Sequence, residues 1–392
     1  MTSLSRPCVL ALAAILPVPR WSPQADARRV PLVRLDAVIA VVGGEYDFVS
    51  SVREVSHGRV LVTDEKANQV VMAHVGESDR VEIGRVGSGP AEYRQVGRLW
   101  GLAGDSTLMS DRWQRRWIVF DAARIVATIP ATDSALRAAG GNVLLGADAS
   151  GHVVAGLADR NPVVDTPLSR RLVRISRSSG QTQVVAVLNS YDRRRDAGTP
   201  AAGSGQMRRG TGRGRYMVPM REEDAVATFP DGWIAIARVR PYRVDWCPPA
   251  RACARGMTIE TARGSINDAA KARYLTFLSV LRRSLGGGRN WDVEETTGWP
   301  EHPPPFVVPP FSLDASAALA ASDGSVVVHR FDASDRHVNS YDVVRRTSRL
   351  VARIELPITD RIVGFGSRTV FVASTDDLGV QRVLVYGWPR PR

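Results

Sequence analysis

Two acidic residues provide the first candidate chemistry in this sequence. Asp64 and Asp111 each end a short β-branched run that follows a turn rich in Gly, Asp or Ser. Carboxylates at equivalent places in neighbouring repeats are oxygen ligands of the kind that Ca²⁺ binds, but an Asp beside a turn also accepts hydrogen bonds from the backbone. Later repeats have Ala155, Ala237 and Ala373 at or near this place. Asp64 and Asp111 are therefore candidate metal ligands, with turn capping as the alternative.

Neither the histidines nor the glycines form a catalytic motif. No Gly-x-Ser-x-Gly sequence precedes a helix, as a nucleophile elbow requires, and the glycines of residues 84–89 lack the Lys and the following helix of a phosphate loop. No two histidines stand at metal-ligand spacing. The six are His57, His74, His152, His302, His329 and His337. The sequence predicts no catalytic residue and no cofactor, and Ca²⁺ enters only with the metal-site alternative.

The first 27 residues have the features of an export signal. Arg6 gives a positively charged start, residues 9–18 form an apolar run, and Ala25 and Ala27 are small residues at the positions that signal peptidase reads. The run is too short to span a bilayer, which takes about 20 apolar residues. We therefore expect residues 1–27 to be a signal peptide. The mature protein is expected in the periplasm or outside the cell, without a transmembrane segment.

The cysteines agree with export. Cleavage after residue 27 would remove Cys8 and leave Cys247 and Cys253, which enclose a loop containing two prolines. In an oxidising compartment a disulfide can close such a loop. The alternative is two free thiols.

A repeat of short strands runs along the chain. Six β-branched runs follow Gly, Asp or Ser turns, at residues 57–64, 104–111, 150–155, 230–237, 323–329 and 366–373. A second run follows most of them, so each repeat contains a hairpin that flanking strands can extend to four. Val60 to Thr107 is 47 residues, and Val326 to Val370 is 44. Four-stranded antiparallel units at this spacing are typical of propeller blades.

The sequence thus predicts an all-β fold, a six-bladed β-propeller with four-stranded antiparallel blades, over residues 36–390. Two gaps between repeats are longer than the rest. Each could hold one degenerate blade, but their composition favours insertions. Residues 258–310 are predicted as a helical and proline-rich insertion between blades four and five. Its helix, about 266–285, has Ala270, Tyr274, Phe277, Leu278 and Leu281 at helical spacing.

Residues 84–93, Gly-Arg-Val-Gly-Ser-Gly-Pro-Ala-Glu-Tyr, carry a family resemblance. Together with residues 102–106 and 119–121, they resemble bacterial exported six-bladed propeller proteins related to the NHL repeat group. The typical phrase of that group is Gly-x-Gly-Pro-Gly-Glu-Phe, and this chain departs from it at Ala91 and Tyr93. The resemblance implies the fold and implies little about activity, because propellers host many functions.

The charge does not indicate nucleic-acid binding. The formal net charge is +12, yet Lys66 and Lys271 are the only lysines and the arginines are spread along the whole chain. A nucleic-acid surface gathers its cations on one face. The Arg-Gly run of residues 208–215 has no interleaved aromatic residue before Tyr216, so a surface loop is favoured there.

One aromatic residue stands out as a ligand contact. Trp113 lies between the two strands of its repeat, whereas stacking between blades accounts for most of the other tryptophans. We predict a monomeric binding or scaffold module for a protein, peptide or glycan, rather than an enzyme. The alternative is a metal-dependent enzyme of the lactonase or lyase kind, with its site in the central channel.

Overall fold

The computed structural model describes residues 30–35, 37–111, 113–130, 144–158, 169–189, 223–261, 267–284, 317–331 and 338–388. The predicted signal peptide lies outside these residues. So do the Arg-Gly run and most of the predicted insertion.

Twenty-six strands and one helix make up the described chain. The chain begins with β1 (Leu32–Val33) and β2 (Ala40–Tyr46). Blade 1 contains β3 (Val49–Glu54), β4 (Arg59–Asp64), β5 (Gln69–His74) and β6 (Arg80–Glu82), and a short parallel pair follows, β7 (Arg85–Val86) and β8 (Glu92–Tyr93). Blade 2 contains β9 (Leu99–Gly101), β10 (Thr107–Asp111), β11 (Arg116–Phe120) and β12 (Ile125–Ile129). Blade 3 contains β13 (Leu144–Ala147), β14 (His152–Ala158), β15 (Ser169–Ser176) and β16 (Thr182–Asn189).

The second half of the chain continues the series. Blade 4 contains β17 (Ala225–Thr228), β18 (Ile234–Arg238) and β19 (Arg243–Cys247), followed by helix α1 (Asp268–Ser284). Blade 5 contains β20 (Ala318–Ala320), β21 (Val326–Arg330), β22 (Val338–Val344) and β23 (Leu350–Pro357). Blade 6 contains β24 (Asp360–Phe365), β25 (Thr369–Thr375) and β26 (Gln381–Gly387). The predicted all-β, six-bladed propeller is confirmed, and the six runs singled out in the sequence become the second strands of the blades.

The blades stand radially around a central axis. The first strands β3, β9, β13 and β17 contact one another in succession, β17 contacts β20, and β24 contacts β3. The first strands therefore surround the axis. Blade faces pack against each other, so the second strands are buried on both sides. A continuous apolar cluster joins blade 6 to blade 1, for example through Val62, Phe371 and Val383.

The amino-terminal strands close the ring. β2 pairs antiparallel with β26 and becomes the outer strand of blade 6, with Val41 opposite Leu384. β1 adds a parallel fifth strand to blade 5, beside β23. The first and last parts of the chain thus share two sheets.

Blade 4 has an irregular outer edge. β17, β18 and β19 form a three-stranded sheet, and the fourth position is taken by residues 254–258, which bridge to Trp246 and Arg243. A Cβ on Gly256 would lie 2.0 Å from the Val244 carbonyl oxygen, so only glycine allows this approach. Cys247 and Cys253 form a disulfide at the start of the segment.

Arginine side chains connect neighbouring blades. Arg53 of blade 1 donates to the carbonyls of Gly104 (2.8 Å) and Asp105 (2.9 Å) in blade 2. Burial lowers the pKa of Arg53 to about 10, an effect that the nearby Asp105 carboxylate partly offsets. Arg174 of blade 3 donates to the Gly232 carbonyl of blade 4. Part of the arginine excess therefore satisfies carbonyl groups between blades.

Candidate functional site

The strand directions define one face that holds every candidate site. Because neighbouring strands are antiparallel, the connections between blades and the loops between second and third strands lie at the same end of the propeller. We call this end the loop face. Asp64 and Asp111 end second strands there, and Trp113 lies in the β10–β11 loop.

Asp64 is buried and its carboxylate is surrounded by backbone donors. Its Oδ2 accepts from the N–H of Asp47 at 2.7 Å. Its Oδ1 accepts from the N–H groups of Phe48 at 2.9 Å and Ala67 at 3.0 Å. The carboxylate thereby fixes the entry to β3 and the β4–β5 turn, which is the geometry of the turn-capping alternative.

Asp111 is placed in the same way in blade 2. Its Oδ2 accepts from the N–H of Arg94 at 2.9 Å and from Nε of Arg116 at 3.2 Å, and its Oδ1 accepts from the N–H of Gln114 at 3.3 Å. The structure does not bring Asp64 and Asp111 together with a third ligand: in the described part of the chain, no three His, Cys, Asp or Glu residues are grouped to hold a metal ion.

The glycine phrase of residues 84–93 forms the connection from blade 1 to blade 2 and is held from beneath. Arg116, which is buried, donates to the carbonyls of Ser88 (3.2 Å), Gly89 (3.1 Å) and Glu92 (2.6 Å). The Gly89 N–H donates to the Glu92 carboxylate at 2.7 Å. This hydrogen bond, followed by that from Arg85, lowers the pKa of Glu92.

Trp113 projects from this frame. The turn that carries it is fixed on both sides, because Gln114 donates to the Ser88 Oγ at 2.6 Å and Asp111 accepts from the Gln114 N–H. The Trp113 side chain is nevertheless 75% exposed. Trp113 is therefore a large aromatic surface presented on a well-braced turn.

A cleft lies on the loop face between α1 and blade 5. Asn267 caps the helix by accepting from the Ala270 N–H at 2.9 Å, and Ala270, Tyr274 and Leu278 form its buried side. The cleft measures about 240 Å³ including its open mouth. Its described walls are Arg273, Phe277, His329, Arg330, Phe331, Val338, Asn339 and Ile358.

The floor of the cleft is an aromatic stack. The His329 ring lies parallel to Tyr341, with ring centroids 4.6 Å apart, and meets Phe277 edge-on at 5.9 Å. His329 Nε2 lies 3.3 Å from Oδ1 of Asn339, whose amide nitrogen donates to the Asp360 carbonyl at 2.8 Å. Tyr341 accepts from the Ile362 N–H of blade 6 at 3.2 Å. These contacts hold the floor rigid across two blades.

A buried charge cluster lies beside the stack. The Asp342 carboxylate is fully buried and accepts from Arg353 Nε at 3.0 Å, from Arg330 Nη1 at 3.4 Å and from the Tyr242 hydroxyl at 3.0 Å. Burial, followed by the charge of Asp342, raises the pKa of Tyr242 well above its usual value. Tyr242 belongs to blade 4, so this cluster also joins blades 4 and 5.

The sequence did not single out the cleft as a site. His329 had been considered only as an isolated histidine, and its partner Asn339 begins a different strand ten residues later. Arg273 and Phe277 come from a helix about 55 residues before His329. The usable signal was the apolar side of that helix, which required a partner.

Comparisons with known proteins identify no family for the chain. No protein-family model matches it, and no curated protein matches it in sequence. A member of the DUF4221 family from Bacteroides vulgatus is 8% identical, with 91% of this chain and 98% of that chain covered and a TM-score of 0.45. Regucalcin, a calcium-binding protein from Agrobacterium tumefaciens, is 8% identical over 92% and 99%, with a TM-score of 0.39. Virginiamycin B lyase from Staphylococcus aureus is 9% identical over 87% and 94%, with a TM-score of 0.33. These neighbours differ in function, and similarity this low assigns none of their activities to the chain.

Proposed function

We propose that the chain is an exported, non-catalytic binding module that takes a protein, peptide or glycan on its loop face. The observation that carries the proposal is the 75% exposure of Trp113 on a braced turn. A rigid aromatic side chain offers a large contact area and loses little conformational entropy on binding. Trp is also enriched among the residues that dominate binding energies.

The position of the helical insertion supports the same face. We infer that residues 258–310 form an insertion between blades four and five, since α1 follows β19 and precedes β20. Tyr274 of the helix meets Phe331, at the end of β21 on the loop face, with ring centroids 6.2 Å apart. An added helix at this end enlarges the surface available to a ligand.

Two features support export. The Cys247–Cys253 disulfide suits an oxidising compartment, and residues 1–27 have the sequence features of a signal peptide. Within the described residues, the only helix lacks the length and apolar character needed to cross a bilayer.

The proposal is tested by screening the purified full-length protein against a glycan array and a peptide library. Trp113→Ala is expected to weaken capture of the best ligand by at least about tenfold, the loss that a central aromatic contact causes. Val184→Ala is the matched control, because Val184 is 54% exposed but lies on β16, the outer strand of blade 3. Equal binding by wild type and Trp113→Ala, or no ligand in either library, would contradict the proposal.

A further inference from the structure

We infer that the cleft between α1 and blade 5 binds a carboxylate group of the ligand, next to an apolar side chain. The inference rests on the proposed function and adds the chemistry of one contact. It assigns a second contact region on the loop face, since blade 5 lies opposite blade 2 and Trp113 in a six-bladed ring.

The size of the cleft sets what can enter it. Pockets that enclose a whole small molecule measure about 300–1,000 Å³. This cleft measures about 240 Å³ with its open mouth included. It therefore suits one end group or one side chain of a larger ligand, as a peptide terminus provides.

The charges of the cleft select an anion. Arg273 and Arg330 supply two guanidinium groups to the described walls, and none of the described wall residues is acidic. Behind Arg330, the single carboxylate of Asp342 is shared with Arg353. One negative charge for two positive charges leaves this cluster net positive.

The geometry of Arg330 leaves it capable of a further hydrogen bond. Its Nη1 is 3.4 Å from Asp342, whereas Arg353 makes the shorter contact of 3.0 Å. Its Nε is buried without a hydrogen-bond partner among the described residues. A guanidinium group presents five N–H donors in a planar fork that matches a carboxylate.

The apolar walls define the neighbour of the carboxylate. Phe277 and Phe331 lie on the two sides of the cleft, with Val338 and Ile358 completing the apolar surface. A carboxylate attached to an apolar residue can therefore bury its side chain while the charge meets the arginines. A neutral glycan offers neither group.

Three short peptides test the inference. The first is an N-acetylated tetrapeptide of three alanines and a terminal phenylalanine, as the free acid. The second is the same peptide as the amide. The third is an amide with glutamate before the terminal phenylalanine, which separates a side-chain carboxylate from a terminal one. Calorimetric titration of the full-length protein is expected to show at least about tenfold tighter binding of a carboxylate peptide than of the neutral amide, as loss of one charged hydrogen bond implies.

Two substitutions locate the contact. Arg330→Gln and Arg353→Gln each remove one guanidinium group from Asp342, but only Arg330 lines the cleft. Arg330→Gln is expected to abolish the preference for the carboxylate peptide, and Arg353→Gln to preserve it. Phe277→Ala, which leaves the charge cluster intact, is expected to weaken all phenylalanine peptides alike.

The outcomes are distinct. Equal binding of acid and amide, or equal loss in both arginine variants, overturns the inference. If no carboxylate peptide binds while a library ligand still depends on Trp113, the inference fails and the proposed function stands. If neither the libraries nor the peptides bind, both fail.

Discussion

Replacing Asp64 separates a turn cap from a metal ligand. Three backbone N–H groups donate to its carboxylate, and that of Phe48 is buried. In Asp64→Ala the Phe48 N–H loses its acceptor at a cost of about 1–3 kcal/mol. The donors of Asp47 and Ala67 are part-buried and add about 0.5–1.5 kcal/mol each. We expect the free energy of unfolding to fall by about 2–5 kcal/mol.

The assay is urea unfolding followed by tryptophan fluorescence, with Ca²⁺ and with a chelator. Asp64→Asn keeps one carbonyl acceptor and is expected to lose about half as much. Asp121→Ala is the matched control, because Asp121 also accepts two backbone N–H bonds, at 2.8 Å each, but its side chain is 40% exposed. That variant is expected to lose less than about 1 kcal/mol.

Two results would refute the reasoning about Asp64. One is a loss in Asp64→Ala no larger than in Asp121→Ala. The other is stabilisation of the wild type by Ca²⁺ that disappears in Asp64→Ala, which would make Asp64 a metal ligand.

Three further predictions concern single contacts. Tyr93→Phe removes the hydroxyl that accepts from the buried Val70 N–H at 3.0 Å, so unfolding free energy should fall by about 1–3 kcal/mol; no change would contradict this. Burial raises the pKa of Asp360, so the native state retains its proton to higher pH than the unfolded chain and wild-type stability declines above a pH of about 4. Asp360→Asn should therefore gain stability relative to wild type between pH 3 and pH 7 in denaturation experiments, and an unchanged difference would oppose it. Reduction of Cys247–Cys253 should speed hydrogen exchange at the Trp246 and Ala254 amides, which bond to each other's carbonyls, while β18 stays protected; uniform acceleration would argue against a local role.

The repeated strands were predictable because a second strand is buried on both faces. Val60, Val62 and Val70 have no exposed surface, and such β-branched runs between turns remain visible in a sequence. The helix was predictable for a similar reason, since the spacing of Ala270, Tyr274 and Leu278 matches its buried side. These elements depend on local patterns.

The ring closure and the cleft depend on distant pairings instead. Nothing near Val41 specifies Leu384 as its partner, and the two walls of the cleft come from α1 and from blade 5. The irregular edge of blade 4 was equally hidden, because Gly256 is distinguished only by its approach to the Val244 carbonyl. Tyr93 shows the reverse case: its departure from the usual Phe gained a meaning once its hydroxyl was seen to accept from Val70.

The sharing of blade 6 between the two ends of the chain also orders its folding. During synthesis, blades 1 to 5 can each pair strands that are already made, but β2 must stay without its partner until β26 emerges more than 300 residues later. The entropy of closing so long a loop is met only once, by the final sheet. The last hairpin therefore acts as a clasp, and a polypeptide interrupted before it would present an unpaired valine-rich edge to other chains.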